Sequence, residues 1–565
     1  MNMQPHYYYY SIGSSLTHNS SHLNIPGDTS LKKHVLLTLL SLFTLVSFGR
    51  ASEAPKLIVF VSIDQMRADH LERYAKEYSA GFKRLTTEGV WYSNADLGYA
   101  NTSTAPGHAT MATGVYPWKS GIVGNSYSDR IANRRVYSVE DSTVNPLGGE
   151  GGKRSPRNLL AATVGDWLKT SSQRSKVISM SYKDRAAILM GGHKADFAFW
   201  YDRLNGSMMS STYYGVALPD WARAFNDSKW IETHLPDSWT RLRPPAVYER
   251  YGPDSLPGEG LWDKKTTFPH DFNRAKKAPQ VFDSPFGNQL LLDFARRAIE
   301  GEQLGKRGTT DLLCISLSTT DNIGSTFGPN SQEMVDNLIR LDLALGEFFN
   351  DLVARLGKQN ILVVLAGDHG VMPLPEFMTT IEHRSARRFD NRKEVQQKLR
   401  QLDSLVRIEM NVSETVVREG FVNYPLLKKV GLEPRALERR VRELLLGVDG
   451  VADVTFTSEL LDPKTAQRPY LDAYRHSLMK DRSPDFFISD CENCLNTEAK
   501  TGTSHGSPYS YDTRVPIVFW GEKYGAKKVD RPVHTVDIAP TLAKILNIQA
   551  PMGLDGVVLE EFENK

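Results

Sequence analysis

Three cysteines in 565 residues are too few for a disulfide-built scaffold or a cysteine-rich zinc module. Net charge is scarce as well. The 68 basic residues against 66 acidic ones leave +2, which provides no footprint for nucleic acid or for an acidic membrane surface. No internal repeat recurs at a period of about 20–50 residues, which argues against solenoids and propellers. What remains is 40% hydrophobic and 24% charged, an ordinary globular composition. The length suits several domains, or one large α/β core carrying long insertions.

One uncharged apolar stretch does stand out. Lys32 and Lys33 precede Val35 to Gly49, and small residues follow at Ala51 and Ser52. A basic region, a short apolar core and a small-residue end describe a secretory signal peptide. The stretch is short for a bilayer span, although an uncleaved anchor and a buried core helix are the alternatives. The residues before it, with Tyr7 to Tyr10, match no folded element and suggest a misplaced start site. The mature chain is therefore expected to begin near Ala51 to Glu53 and to be periplasmic or secreted. Export makes Cys491 and Cys494 a local disulfide pair, whereas Cys314, inside an apolar run, reads as a buried small hydrophobe.

Short apolar runs recur along the mature chain at Leu57–Ile63, Lys176–Met180, Asp311–Leu317, Ile361–Leu365 and Val515–Trp520. Continuous apolar runs of this length suit strands buried on both faces, as in parallel sheets. Helical periodicity lies between them, for example from Met334 to Phe349. The alternation predicts an α/β sandwich with a mainly parallel central sheet. Two segments break the rhythm. Residues from about 195 to 280 read as a loop-rich insertion, and 383–480 as a small α+β cap with a helix at Glu433–Leu446 and a strand at Val451–Phe456. The expected layout is an extension and signal peptide over 1–52, a catalytic core over 53–382, the cap over 383–480, and the rest of the core over 481–565.

Ligands of open α/β sheets gather at the carboxyl ends of the strands. Asp64 closes the first run, Asp321 follows the one ending at Leu317, and Asp368-His369 follow Ile361–Leu365. His505 lies in a Gly- and Ser-rich loop before the last run. Carboxylate and imidazole together suit zinc, though manganese, cobalt or iron also accept such sites. The segment Asn101 to Thr113 reads as a loop entering a helix, with Pro106 in its first turn. A hydroxyl at that edge faces the positive end of the helix. Two roles remain open for Thr104: an N-capping residue, or a nucleophile activated by a metal.

Taken in order, Val61-Ser-Ile-Asp64-Gln-Met-Arg-Ala-Asp69, Thr104-Ala-Pro-Gly-His108, Asp321, Asp368-His369-Gly370 and Ser504-His505-Gly506-Ser507 resemble the motifs of the alkaline phosphatase superfamily. The nearest branch is the type I phosphodiesterase/nucleotide pyrophosphatase group, and within it the bacterial alkaline phosphatases with a threonine nucleophile. The resemblance spans nearly the whole mature chain. It implies an alkaline-phosphatase-like sandwich and a metal-dependent phosphomonoesterase that passes through a phosphothreonine on Thr104. Two zinc sites are implied, one on Asp64, Asp368, His369 and Thr104, the other on Asp321 and His505. Asn125 is implied as a donor to phosphate. Lys183 and Arg185 match the Lys-x-Arg pair of the monoesterases, and two cations suit a monoester dianion better than a diester monoanion. Small phosphate monoesters are the expected partners, with a monomeric chain, no nucleic acid, and no stable membrane association unless the leader is kept.

The sequence departs from the family pattern at Ser325, where a histidine ligand is expected four residues after Asp321. A serine hydroxyl is a weak zinc ligand beside imidazole, so the second site should lose affinity. The alternatives are a phosphodiesterase or nucleotide pyrophosphatase on the same scaffold, and a catalytically impaired phosphate-binding relative. A sulfatase is disfavoured, because no cysteine has the Cys-x-Pro-x-Arg context.

Overall fold

The computed structural model describes residues 54–131 and 133–563, so the expected leader lies outside the described residues. Among the described residues, ten strands form one central sheet. In chain order they are β1 (Leu57–Ile63), β2 (Val90–Tyr92), β3 (Pro146–Leu147), β4 (Val177–Ser181), β5 (Phe197–Tyr201), β6 (Met208–Ser211), β7 (Asp311–Leu317), β8 (Ile361–Gly367), β9 (Ile517–Trp520) and β10 (Lys527–Val529). Across the sheet the order is β10-β2-β9-β8-β1-β7-β4-β5-β6-β3. The five central strands β8, β1, β7, β4 and β5 are mutually parallel. Strands β9 and β6 run antiparallel to their inner neighbours.

Every residue of β1, β7 and β8 is buried, as their unbroken apolar runs require. The alternation of side chains divides the core in two. Leu57, Val59, Val61 and Ile63 face a cluster completed by helices Phe286–Gly301 and Gln332–Leu356. Ile58 and Phe60 face the opposite cluster, with Cys314, Leu362 and Val364, under helices Val164–Ser171 and Ile538–Leu546. The result is helix on sheet on helix. Because the central strands are parallel, their carboxyl ends share one edge. None of the described helices is long and apolar enough to cross a membrane.

The segment expected to be a loop-rich insertion from 195 differs at its start. Residues 197–201 and 208–211 are β5 and β6 of the main sheet, and Ala198, Phe199, Trp200 and Met209 are buried there. Their aromatic and methionine composition hides a strand that the wider Trp-, Tyr- and Pro-rich window masks. From 212 onward the insertion is short helices and loops with one two-stranded ribbon, Ser238–Trp239 against His270–Asp271. The cap region builds its own core, in which Val395, Leu399 and Val406 pack against Leu437, Val441 and Leu445. Its strand Val451–Phe456 pairs antiparallel with Phe486–Asp490, which lies past residue 480. Beside that partner, Cys491 and Cys494 are disulfide-bonded, and Cys314 is free and buried.

Candidate active site

The predicted carboxylate ligands and His369 lie just beyond central strands, whereas His505 lies in a loop before β9. Asp64 follows β1, Lys183 follows β4, Asp321 lies in the helix Thr319–Phe327 after β7, and Asp368 and His369 follow β8. Thr104 opens the helix Thr104–Thr113, with Ser103 at its N-cap position. The capping role for Thr104 is thereby excluded: it is the first helical residue. Its Oγ1 meets Lys183 Nζ and Arg185 Nη2, each at 3.4 Å. The amide of Ala105 donates to Asn125 Oδ1 at 2.9 Å, so Asn125 serves the helix end with its oxygen. That fixes its Nδ2 as the donor turned to other acceptors.

Two groups of metal-ligand type emerge, Asp64 with Asp368 and His369, and Asp321 with His369 and His505. Within each, the candidate ligand atoms lie within 4.8 Å of one another. Both imidazoles are oriented from behind. His369 Nδ1 donates to Gly370 O at 2.9 Å and His505 Nδ1 to Thr102 O at 2.7 Å, which turns each Nε2 toward the carboxylates. Asp368 Oδ1 accepts the amides of Gln65 and His369, both at 3.0 Å. Its Oδ2 is left buried without a hydrogen-bond partner, as are Asp64 Oδ1 and His369 Nε2. Asp64 Oδ1 and Asp368 Oδ2 lie 3.4 and 3.5 Å from His369 Nε2, and three buried ligand atoms that converge without a hydrogen bond among them fit a cation.

The electrostatics agree. Burial and Asp368 push Asp64 upward, yet Lys183 and His369 outweigh them and hold it below the ordinary carboxylate range. Asp321 is likewise lowered against its burial, mainly by Lys183. Burial opposes charge on His369, but Asp368 and Asp64 raise it to about 9. Burial and the neighbouring His369 push His505 down to about 4. Lys183 Nζ lies 2.6 Å from both Asp64 Oδ2 and Asp321 Oδ2, and these carboxylates raise it despite its burial. Arg185 is braced by Tyr137, whose hydroxyl donates to Asp184.

Ser325, the departure at the second site, is bridged by a residue to which the sequence reading assigned no role. Gln65 Nε2 donates to Asp321 Oδ1 at 2.6 Å and to Ser325 Oγ at 3.0 Å. Gln65 is buried at φ 66°, a strained value for a non-glycine residue. Two further positioning residues were missed. His108 Nδ1 donates to Thr104 O at 2.8 Å and lies 3.3 Å from Asp368 Oδ2, while its Nε2 meets Ser316 Oγ at 2.9 Å. Asp512 Oδ2 accepts the amides of Gly506 and Ser507 and anchors the His505 loop. The i,i+4 spacing of Thr104 and His108 was the available signal for the former.

Comparison with known proteins places the chain in a family. Residues 58–504 match the family model described as type I phosphodiesterase / nucleotide pyrophosphatase. A protein of Myroides odoratus named calcium-transporting ATPase is 37% identical, over 90% of this chain and 95% of its own. The alkaline phosphatase PhoV of Synechococcus elongatus is 36% identical, over 91% and 94%. The alkaline phosphatase PafA of Elizabethkingia meningoseptica is 36% identical, over 90% and 94%. The crystal structure of PafA covers 91% of this chain and 100% of its own with a TM-score of 0.82. From motifs, fold and relatives together, the chain belongs to the type I phosphodiesterase / nucleotide pyrophosphatase branch of the alkaline phosphatase superfamily.

Proposed function

We propose that the protein is an exported, zinc-dependent alkaline phosphatase that hydrolyses phosphate monoesters through a phosphothreonine at Thr104. One observation carries the reading: Lys183 and Arg185 converge on the hydroxyl of Thr104 beside two groups of carboxylate and imidazole ligands. A monoester dianion carries one more charge than a diester, and paired cations at the nucleophile favour it. The kinship with PhoV and PafA, both named alkaline phosphatases, supports the same reading.

Asp64, Asp368, His369 and Thr104 would hold one zinc, and Asp321 and His505 the other, with Ser325 a poor contributor. When bound, the metals supply Lewis-acid charge that lowers the pKa of the Thr104 hydroxyl and of water and offsets charge on the phosphoryl oxygens. Thr104 Oγ1 bonds to phosphorus as the ester P–O bond breaks, and the alcohol leaves with a proton. Lys183, Arg185 and the Asn125 amide hold the equatorial oxygens, so that catalysis is mainly positioning and charge stabilisation. Water then cleaves the phosphothreonine, releasing inorganic phosphate and restoring the threonine. His108 ties the first turn of the helix to Asp368, which keeps nucleophile and ligand in register.

Mass spectrometry of enzyme quenched in acid during turnover tests the intermediate. The expected result is one phosphate on the peptide containing Thr104, absent in Thr104→Ala. Turnover with no such adduct would remove the covalent step.

A further inference from the structure

A cleft of about 540 Å³ opens beside the threonine loop. It begins at Asn101, shortly before Thr104, and at Val123 and Ser126, which flank Asn125. A neighbouring cavity shares Asn101, Ser477 and Phe487 with it and reaches Gly506, next to His505. One wall is the hairpin pairing Ser126–Asp129 with Arg134–Tyr137, and the other is the cap hairpin pairing Val417–Arg418 with Phe421–Val422. The cleft therefore lies between core and cap, beside the loops that lead to Thr104 and carry Asn125.

Five arginines line it. Asp485 pairs with Arg130, and Glu140 with Arg134. Arg135 and Arg418 stand exposed on opposite walls with no carboxylate partner among the described residues. Arg482 also lacks one: its Nη1 donates to the carbonyls of Gly121 and Asn158, and its guanidinium lies 4.8 Å from the ring centre of Tyr127. Arg418 lies 4.8 Å from the ring centre of Phe421. Asp129 and Glu419 also line the cleft, fewer than the three guanidinium groups that have no carboxylate partner among the described residues. Guanidinium groups laid on aromatic faces keep a flat donor edge for a phosphate or carboxylate.

We propose that this cleft receives the alcohol half of the substrate when that half is itself anionic, so that the enzyme prefers monoesters bearing a second phosphate. The proposal rests on the phosphomonoesterase reading and adds a specificity to it. Arg135 and Arg418 meet the distal anion from opposite walls, and Arg482 meets it from the side. None of the three lies among the residues assigned to the chemistry at Thr104.

Steady-state kinetics on the zinc-loaded enzyme decide it, comparing fructose 1,6-bisphosphate with fructose 6-phosphate and with an aryl phosphate. The expected result is a higher kcat/KM for the bisphosphate, falling about five- to tenfold through KM in Arg135→Ala/Arg418→Ala and at raised salt. The aryl phosphate rate should stay unchanged in that variant, and Arg418→Lys should keep part of the preference. Equal rates on the two sugar phosphates in the wild-type enzyme, or a loss in the variant that is equal on all three substrates, would overturn the cleft assignment. Absence of aryl phosphate hydrolysis in the wild-type enzyme would instead overturn the phosphatase reading beneath it.

Discussion

Asp368 shows how single residues are fixed for their task. Two backbone amides saturate one of its oxygens, and His108 approaches the other from behind. Ser325 shows the opposite, a hydroxyl that accepts from the Gln65 amide where a stronger ligand is expected. Ser325→His should raise zinc affinity at the second site by about tenfold or more, and raise turnover with it. Chelator competition followed by metal analysis checks the first effect, and unchanged affinity would show that the serine is no deficit. The candidate ligands were legible in the sequence, because Asp64, Asp321, Asp368 and His369 stand near strand ends that the apolar runs mark and His505 lies in a Gly- and Ser-rich loop before the last run. Gln65 was not, since neither its positive φ nor its reach to Asp321 leaves a trace in residue type.

At the scale of elements, the helix Thr104–Thr113 owes its position to a missing side chain. A Cβ on Gly107 would stand 2.3 Å from Asp368 O and 2.8 Å from Asp368 Cβ. The helix that Thr104 opens therefore packs directly on the backbone at Asp368. Gly107→Ala must part the two, at a cost of about 1–3 kcal/mol in stability. The displacement should lower kcat/KM by roughly a hundredfold. Thermal denaturation and kinetics measure both, and a variant as active as the parent would contradict the close contact. The sequence announced this helix through Pro106 and the loop before it. It did not announce β5 and β6, whose aromatic residues blend into an irregular neighbourhood until sheet pairing distinguishes them.

Over the whole molecule, alternating strands and helices disclosed the α/β class, whereas the order of the strands depends on long crossovers that local pattern does not encode. The insertion also stores a pH liability. Glu259 is 3% exposed, and neither of its oxygens has a hydrogen-bond partner. Burial and the nearby Glu333 raise it from 4.5 to about 9. The folded chain thus keeps a proton that the unfolded chain loses above 4.5. This stabilisation is complete below pH 4.5 and is lost as the pH rises toward 9, by an order of a few kcal/mol. Glu259→Gln should therefore raise Tm relative to the parent at pH 9 and change it little at pH 5. Parallel pH profiles for the two proteins would refute that ionisation.

The most direct test of the whole account is the rate on an aryl phosphate monoester against the matching diester, with mature protein titrated with zinc. A strong monoester preference should appear as zinc is added, vanish in Thr104→Ala, and shrink by about a hundredfold or more in Lys183→Ala/Arg185→Ala while the diester rate is spared. A diester preference would make the protein a phosphodiesterase. Failure on both substrates at saturating zinc would make Ser325 a disabling change and leave a phosphate-binding relative in place of an enzyme.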